Sequence, residues 1–327
     1  MTPSPEILAQ YAALSQSVGI ADLSDRTRLE ILGADRAAFL HNFCTNDVKQ
    51  LAPGRGCEAF ITSHQGKTLG HVLIFCEKDR LLLETSPDQA KPLIAHFDKY
   101  LISEDVQFFD RSAEIGELLV AGPQASEKLS QAVGGGAPTE MLVTIAGTIA
   151  GRDVLVCRVE YAGPASFLVQ AARADLPTVV DTFRQIGAVQ CGSLAVEMRR
   201  LEAGFPLFGR DISDENLPQE VGRDTKAISF KKGCYLGQET VARLDAIGHV
   251  NRLLVGLTFA GTEVPTAGTP LQAAGKVVGQ VTSAAWSPHL NAPLAMGYVR
   301  SIHAKAGTQL DSPLGRVTVT ALPLNAS

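Results

Sequence analysis

The residue with the clearest capacity for chemistry is Cys234, within KKGCYLGQET (Lys231 to Thr240). The surrounding stretch supplies Arg223, Lys226, Lys231, Lys232 and Arg243 against Asp224 and Glu239, a basic setting in an acidic chain. Positive charge favours the thiolate, which is both the nucleophile and the soft metal ligand. Gly233 and Gly237 leave room for a ligand or a second backbone to come close. A helix starting at Gln238 would turn its positive N-terminal end towards the sulfur. Against this, cysteine is also a small apolar residue that fills cores, and on residue types alone packing is the commoner role. The histidine nearest in sequence is His249, so a cysteine–histidine pair would need a partner from a distant segment. The other cysteines, Cys44, Cys57, Cys76, Cys157 and Cys191, sit in apolar strand or helix contexts and read as core.

Upstream, MRRLEAGFPLFGRDISDENLPQEV reads as a helix ending at Gly204, a Pro- and Gly-rich turn and a run of acids. Arg199 and Arg200 offer planar donor forks suited to a carboxylate or a polar ring, although one of them also reads as an exposed helix residue. Asp211, Asp214, Glu215 and Glu220 read as a solvated face or as caps, since nothing in the sequence fixes their mutual geometry. The six cysteines show no CxxC or Cys/His cluster, so no zinc knuckle or locally encoded Fe–S site is expected. Gly134 to Gly136 lack the strand context of a dinucleotide-binding turn and the Lys-Ser/Thr ending of a phosphate loop; they read as a loop.

These groups need a scaffold, and 327 residues at 45% apolar composition can build two or three domains. With 29 basic and 34 acidic residues the net charge is −5, which argues against global attraction to nucleic acid or anionic membrane. The first basic residue is Arg26, so the start lacks the features of a secretory or mitochondrial leader, and no apolar run approaches the ~20 residues that cross a bilayer. A reducing cytoplasm with free thiols is the expectation. PEILAQYAALSQSV spaces Ile7, Leu8, Tyr11, Leu14 and Val18 as one helical face. RTRLEILG reads as a strand and DRAAFLHNFC as a helix with Asp35 placed to cap it. Strands follow at CEAFITS, TLGHVLIFC and LLLET, then a helix with Leu93, Ile94, Phe97 and Leu101. Further strands fall at VQFF, GELLVAG, DVLVCRVEY and SFLVQA, with helices near Gln124 to Val133 and at LPTVVDTFRQIG. From Asn251 short strand-like runs broken by Gly and Pro predict a small all-β barrel. The expected units are residues 1–115, 116–250 and 251–327, an α+β architecture with a C-terminal barrel.

KKGCYLGQETVAR, together with RRLEAGFPLFGRDI and LPQE, resembles the YgfZ family, folate-binding proteins related to the glycine-cleavage T-protein that support Fe–S enzymes. The family's signature falls on Lys232, Gly233, Cys234, Tyr235, Gly237, Gln238, Glu239 and Arg243. FLHNFCTNDVKQLAPGRG and VVGQVTSAAWSPHLNAPLAMGYV extend the resemblance to both ends of the chain. It implies a T-protein-like fold: ferredoxin-like α+β units around a central hole that holds tetrahydrofolate, and a C-terminal β-barrel. It also implies Arg200 as the foremost folate contact, with Asn46, Phe75 and Glu84 near the hole.

Two departures bear on activity. Where T-proteins carry an Asp-Asp pair that manages the folate nitrogen, this chain has Gly70 and His71. Where they carry Tyr-Thr-Gly-Glu, it has Tyr161, Ala162, Gly163 and Pro164. The resemblance therefore implies a tetrahydrofolate-binding accessory protein for assembly or repair of Fe–S clusters, with Cys234 as the functional thiol. Its clients would be Fe–S enzymes, tRNA-modifying ones included, or cluster carriers; iron would visit Cys234 transiently, and no stable nucleic-acid or membrane contact is expected. The alternatives are a folate-dependent one-carbon transferase, with His71 as a base, and a folate-binding module whose cysteine is structural. Whether the chain is an enzyme is left open, with aminomethyl transfer disfavoured.

Overall fold

Strand residues alternate between two faces, and here the two faces of each sheet differ in kind. In a computed structural model, which describes residues 3–324, the chain opens with helix α1 (Pro5–Gln16) and strand β1 (Gly19–Asp22). It continues with β2 (Thr27–Leu32), α2 (Arg36–His41), β3 (Gly56–Thr62), β4 (Thr68–Cys76), β5 (Leu81–Thr85), α3 (Ala90–Asp98) and β6 (Gln107–Asp110). These five strands make an antiparallel sheet in the order β3-β4-β5-β2-β6. Next come β7 (Ile115–Ala121), α4 (Ala125–Val133), β8 (Thr144–Ile149), β9 (Arg152–Val159), β10 (Ser166–Ala172), α5 (Leu176–Gln185) and β11 (Val189–Gln190). The second sheet runs β11-β1-β7-β10-β9-β8, so the N-terminal strand β1 joins this sheet rather than the first.

In the first sheet Leu29, Ile31, Ala59, Ile61, Val72, Ile74, Leu81 and Leu83 pack with Phe39 of α2 and with Leu93 and Phe97 of α3. The opposite face is mixed. Register sets Phe60 beside His71, and Glu58, Leu73, Glu84 and Arg28 in one row across four strands. The second sheet repeats the plan: Leu118, Val120, Val154, Val156, Phe167 and Val169 pack with Leu129 of α4 and with Val179 and Phe183 of α5. Its other face carries Glu117, Leu119, Cys157, Leu168 and Gln170. The two helix-free faces confront one another: Leu73, Phe75 and Leu82 share a core with Leu119, Cys157 and Leu168. Arg28 Nη2 of the first sheet lies 2.6 Å from Glu117 Oε1 of the second.

Helix α6 (Ser193–Ala203), the short α7 (Asp224–Ala227) and α8 (Gln238–Ile247) lead into the barrel. Its strands are β12 (Arg252–Phe259), β13 (Pro270–Ala273), β14 (Lys276–Ser287), β15 (Ala292–Arg300), β16 (Gln309–Ser312) and β17 (Gly315–Thr320). They close in the order β12-β15-β14-β13-β16-β17, with β12 also pairing to β17. Among the described residues no helix is long and apolar enough to cross a membrane.

Three expectations are corrected. Asp35 makes no side-chain cap on α2; its carboxylate accepts the Asp105 N–H instead, tying the helix start to the chain before β6. Asp211 and Glu220 are buried, so the solvated-face reading fails for them while the capping one holds: Asp211 pairs with Arg200 and accepts the Leu207 N–H, and Glu220 pairs with Arg252 and accepts the Leu217 N–H. Phe75 has no exposed surface and is part of the core between the sheets.

Candidate functional site

The chain between α6 and α8 is laced onto the first sheet by backbone groups. Ser229 N–H donates to Thr45 O at 2.9 Å and Leu236 N–H to Asn42 O at 2.8 Å. Thr45 Oγ1 donates to Ala227 O at 2.6 Å, and Thr62 Oγ1 to Leu236 O at 2.7 Å. Asn46 Nδ2 bridges Glu58 O and Lys226 O at 2.8 and 3.0 Å. Lys232 is the central pin: its buried ammonium donates to His41 O at 2.6 Å, Cys44 O at 2.7 Å and Asn46 O at 3.0 Å. Those three bonds use its three donors, and the same ammonium lies 4.8 Å from the ring centroid of buried Tyr235. Gly237, at φ +83, rests on the β3–β4 turn, where an added Cβ would stand 2.3 Å from Ser63 O.

With Lys232, Tyr235 and Gly237 fixing the loop, Cys234 between them is exposed, which removes the packing role that residue types favoured. Cys44, Cys76, Cys157 and Cys191 are buried and Cys57 is half-buried; burial pushes all five of these thiols up, Cys191 to about 11. Gln238 and Glu239 form the first turn of α8, and Arg243 is exposed on that helix. Among the described residues no group of three or more Cys, His, Asp or Glu side chains could hold a metal ion.

A separate constellation sits between the sheets. A cavity of about 240 Å³ is walled by Leu73, Leu142, Val159 and Phe205, with Glu58, Glu160, Arg223 and Lys226 as its polar groups. Cys234 is not part of its lining. A neighbouring cavity of about 490 Å³ shares Glu160, Arg223 and Lys226 and extends along the barrel at Leu254, Met296 and Val319. Arg223 grips both oxygens of Glu58, with Nη2 at 2.6 Å from Oε2, and lies 5.1 Å above the Phe205 ring. Lys226 pairs with Glu160. His71 Nε2 lies 2.7 Å from Glu58 Oε1, and its ring stacks on Phe60 at 5.2 Å. Burial alone would raise the Glu58 carboxyl, but the hydrogen bonds and charges of Arg223 and His71 outweigh it and hold the carboxyl down to about 2. A wider cavity of about 720 Å³ lies elsewhere, at Arg26, Tyr161, Glu197 and Arg210. The smaller one better combines apolar walls with a few convergent polar groups, the usual make-up of a small-molecule site.

The acid pair's absence now has a geometric meaning. A Cβ at Gly70 would lie 3.2 Å from Leu93 of α3, so position 70 faces the helix-covered core. Only position 71 faces the other sheet, and its imidazole is bonded to Glu58 from the adjacent strand. Pro164 lines the 490 Å³ cavity and brings no carboxylate, whereas Glu160 does.

The residues expected near the hole are placed less favourably. Arg200 is wholly buried and all five of its N–H donors are spent on Glu197, Phe205 O, Asp211 and Ser283, leaving none for a ligand. Glu84 is buried against Arg26, Phe75 is core, and Asn46 is a backbone clamp. The polar groups that do line the cavity came unsignalled, except that Arg223 and Lys226 stood out as basic neighbours of the cysteine.

A model of the GCVT N-terminal domain matches residues 3–232, and one of the glycine cleavage T-protein C-terminal barrel domain matches residues 252–325. The chain is 28% identical over 309 residues to the aminomethyltransferase of Streptomyces avermitilis, covering 91% of this chain and 82% of that one. It is 28% identical over 332 residues to the aminomethyltransferase of Symbiobacterium thermophilum, covering 93% and 84%. Its fold is like that of the glycine cleavage system aminomethyltransferase T of Bartonella henselae, with a TM-score of 0.87 at 21% identity over 98% of this chain and 89% of that chain.

Proposed function

The chain belongs to the glycine cleavage T-protein family, and from that premise we propose that it is a tetrahydrofolate-binding accessory protein of the YgfZ type. Its folate site is the space between the two sheets, and Cys234 serves Fe–S client proteins or cluster carriers in the cytoplasm. The observation that carries this reading is the division of labour: Cys234 is exposed on a loop pinned by Lys232, outside the lining of the cavity where a ligand would sit. A thiol so placed can meet a macromolecule while the cavity is filled.

The donor set suits a reduced folate. Leu73, Val159 and the Phe205 ring give a flat apolar slot for a pterin, and the half-buried Glu160 is an acceptor for its N–H groups. Arg223 and Lys226, at the junction with the larger cavity, suit an anionic glutamyl tail. Folate would supply the one-carbon carrier or a structural ligand; the chain's own part is to bind and orient it. Aminomethyl transfer is disfavoured because position 71 carries an imidazole and Glu58, the carboxylate beside it, is neutralised by Arg223.

A folate-dependent one-carbon transferase is the second reading. The names of the relatives favour it, as does the His71–Glu58 contact, which gives an imidazole inside the inter-sheet space a fixed orientation. Cys234→Ser separates the two. In cells lacking the native gene, the accessory reading expects the variant to bind tetrahydrofolate like wild type yet fail to restore Fe–S enzyme activity. Full restoration by the variant would remove the thiol from the function.

A further inference from the structure

We propose that His41 accepts the proton of Cys234, held in that role by Asp47, and that this equips the exposed thiol to exchange with a disulfide or persulfide sulfur of a protein partner. His41 ends α2, on the segment that Lys232 pins to the motif loop. Its side chain is only 7% exposed, yet its buried Nδ1 makes no hydrogen bond within the fold. Structural histidines at such burial are normally satisfied. The polar neighbour of Nδ1 is Asp47, whose Oδ1 lies 3.3 Å away. On the other edge of the ring, Nε2 is directed at the motif loop, and a Cβ built on Gly233 would stand 3.9 Å from it. Cys234 is the next residue, one Cα step of about 3.8 Å along the chain.

The order Asp47, His41, Cys234 is that of a base oriented by a carboxylate and serving a nucleophile. Burial is the largest influence on the imidazole and pushes it below its ordinary value; Lys232 and Lys49 add to this, and Asp47 opposes them. His41 is therefore neutral near pH 7 and able to take a proton. In the exchange, the Sγ–H proton passes to Nε2 while the sulfur electron pair forms a new S–S bond with one sulfur of the partner. The partner's S–S bond breaks, and the departing thiolate takes the proton from Nε2, so no outside oxidant or reductant is consumed.

This inference rests on the reading of Cys234 as the working thiol. It is tested on the purified full chain by the rate of reaction with 5,5′-dithiobis(2-nitrobenzoate) from pH 5.5 to 9, with Cys234→Ser as the blank. His41→Gln is expected to slow the reaction at pH 7 roughly tenfold or more and to abolish the acidic limb set by imidazole protonation. Asp47→Asn should slow it several-fold and shift that limb. Profiles that superimpose on wild type overturn the proposal. Should His41→Gln fail to fold, the half-buried Asp47 decides the matter alone. Complementation by Cys234→Ser in cells would sink the broader reading, whereas a wild-type profile in the histidine variant sinks only this one.

Discussion

Arg223, at the start of α7, holds both carboxylate oxygens of Glu58 in β3, so the segment that leads to the motif loop is fastened to the inner face of the first sheet. The carboxyl is held at about 2 against an ordinary 4.5. Because the folded value is the lower one, its stabilising contribution is present above pH 4.5 and is lost as pH falls towards 2. The depression corresponds to on the order of 3 kcal/mol. Glu58→Gln should therefore cost about that much at pH 7, and the gap to wild type should close as pH falls from 4.5 to below 3. Urea unfolding at a series of pH values measures it, and a gap constant with pH would contradict the coupling.

Arg200 is wholly buried and Arg223 largely so, but of the two only Arg223 touches a cavity. Arg200→Lys keeps the charge and loses the five-bond fork that joins α6 to Asp211 and to Ser283 of the barrel. Breaking a buried pair costs roughly 3–5 kcal/mol, so a fall in Tm is expected while the folded protein keeps its affinity for tetrahydrofolate. Arg223→Lys should do the reverse in binding, weakening tetrahydrofolate about tenfold. Calorimetric titration on both variants checks the pair; a selective binding loss at Arg200 would return the folate contact to that residue.

Much of the fold was readable because each sheet buries one face under helices, and that produces the strict alternation seen at Ala59, Ile61, Val72 and Ile74. The barrel was readable from its Gly- and Pro-broken short strands. The site was less so. Glu58 and Glu160 look like ordinary strand-end acids in the sequence, and only the pairing of β3 with β4 sets Glu58 against His71. Arg200 looked like a ligand clamp because its acceptors, Asp211 and Ser283, lie 11 and 83 residues away. His41 gave no signal at all, since a register between α2 and the motif loop, 191 residues apart, is a tertiary fact.

Lys232 acts by satisfying carbonyls, not by charge on a ligand. Lys232→Met preserves the buried stem but leaves the carbonyls of His41, Cys44 and Asn46 without the ammonium. Unsatisfied buried acceptors cost roughly 1–3 kcal/mol each, and partial relaxation should leave a total loss of about 2–4 kcal/mol. Amide exchange should quicken at Ser229 and Leu236, whose N–H groups bond to Thr45 and Asn42, while amides of β14 and β15 keep their rates. Unchanged exchange at the first two positions would mean that the loop does not depend on this pin.

Gly237→Ala probes the other fixed point of the motif. The position combines φ +83, which disfavours any Cβ, with a contact in which that Cβ would lie 2.3 Å from Ser63 O and 2.7 Å from the Gly66 backbone. Backbone, unlike a flexible side chain, cannot swing aside, so either the β3–β4 turn or the start of α8 must move. A cost of at least about 2 kcal/mol follows from left-handed strain plus overlap. The displacement falls on the residues flanking Cys234 and leaves the cavity walls at Leu73, Val159 and Phe205 untouched. The variant should therefore bind tetrahydrofolate with wild-type affinity and yet restore Fe–S enzyme activity poorly in cells. Equal loss of both would mean that the thiol loop and the cavity form one site, contrary to their separation in the fold.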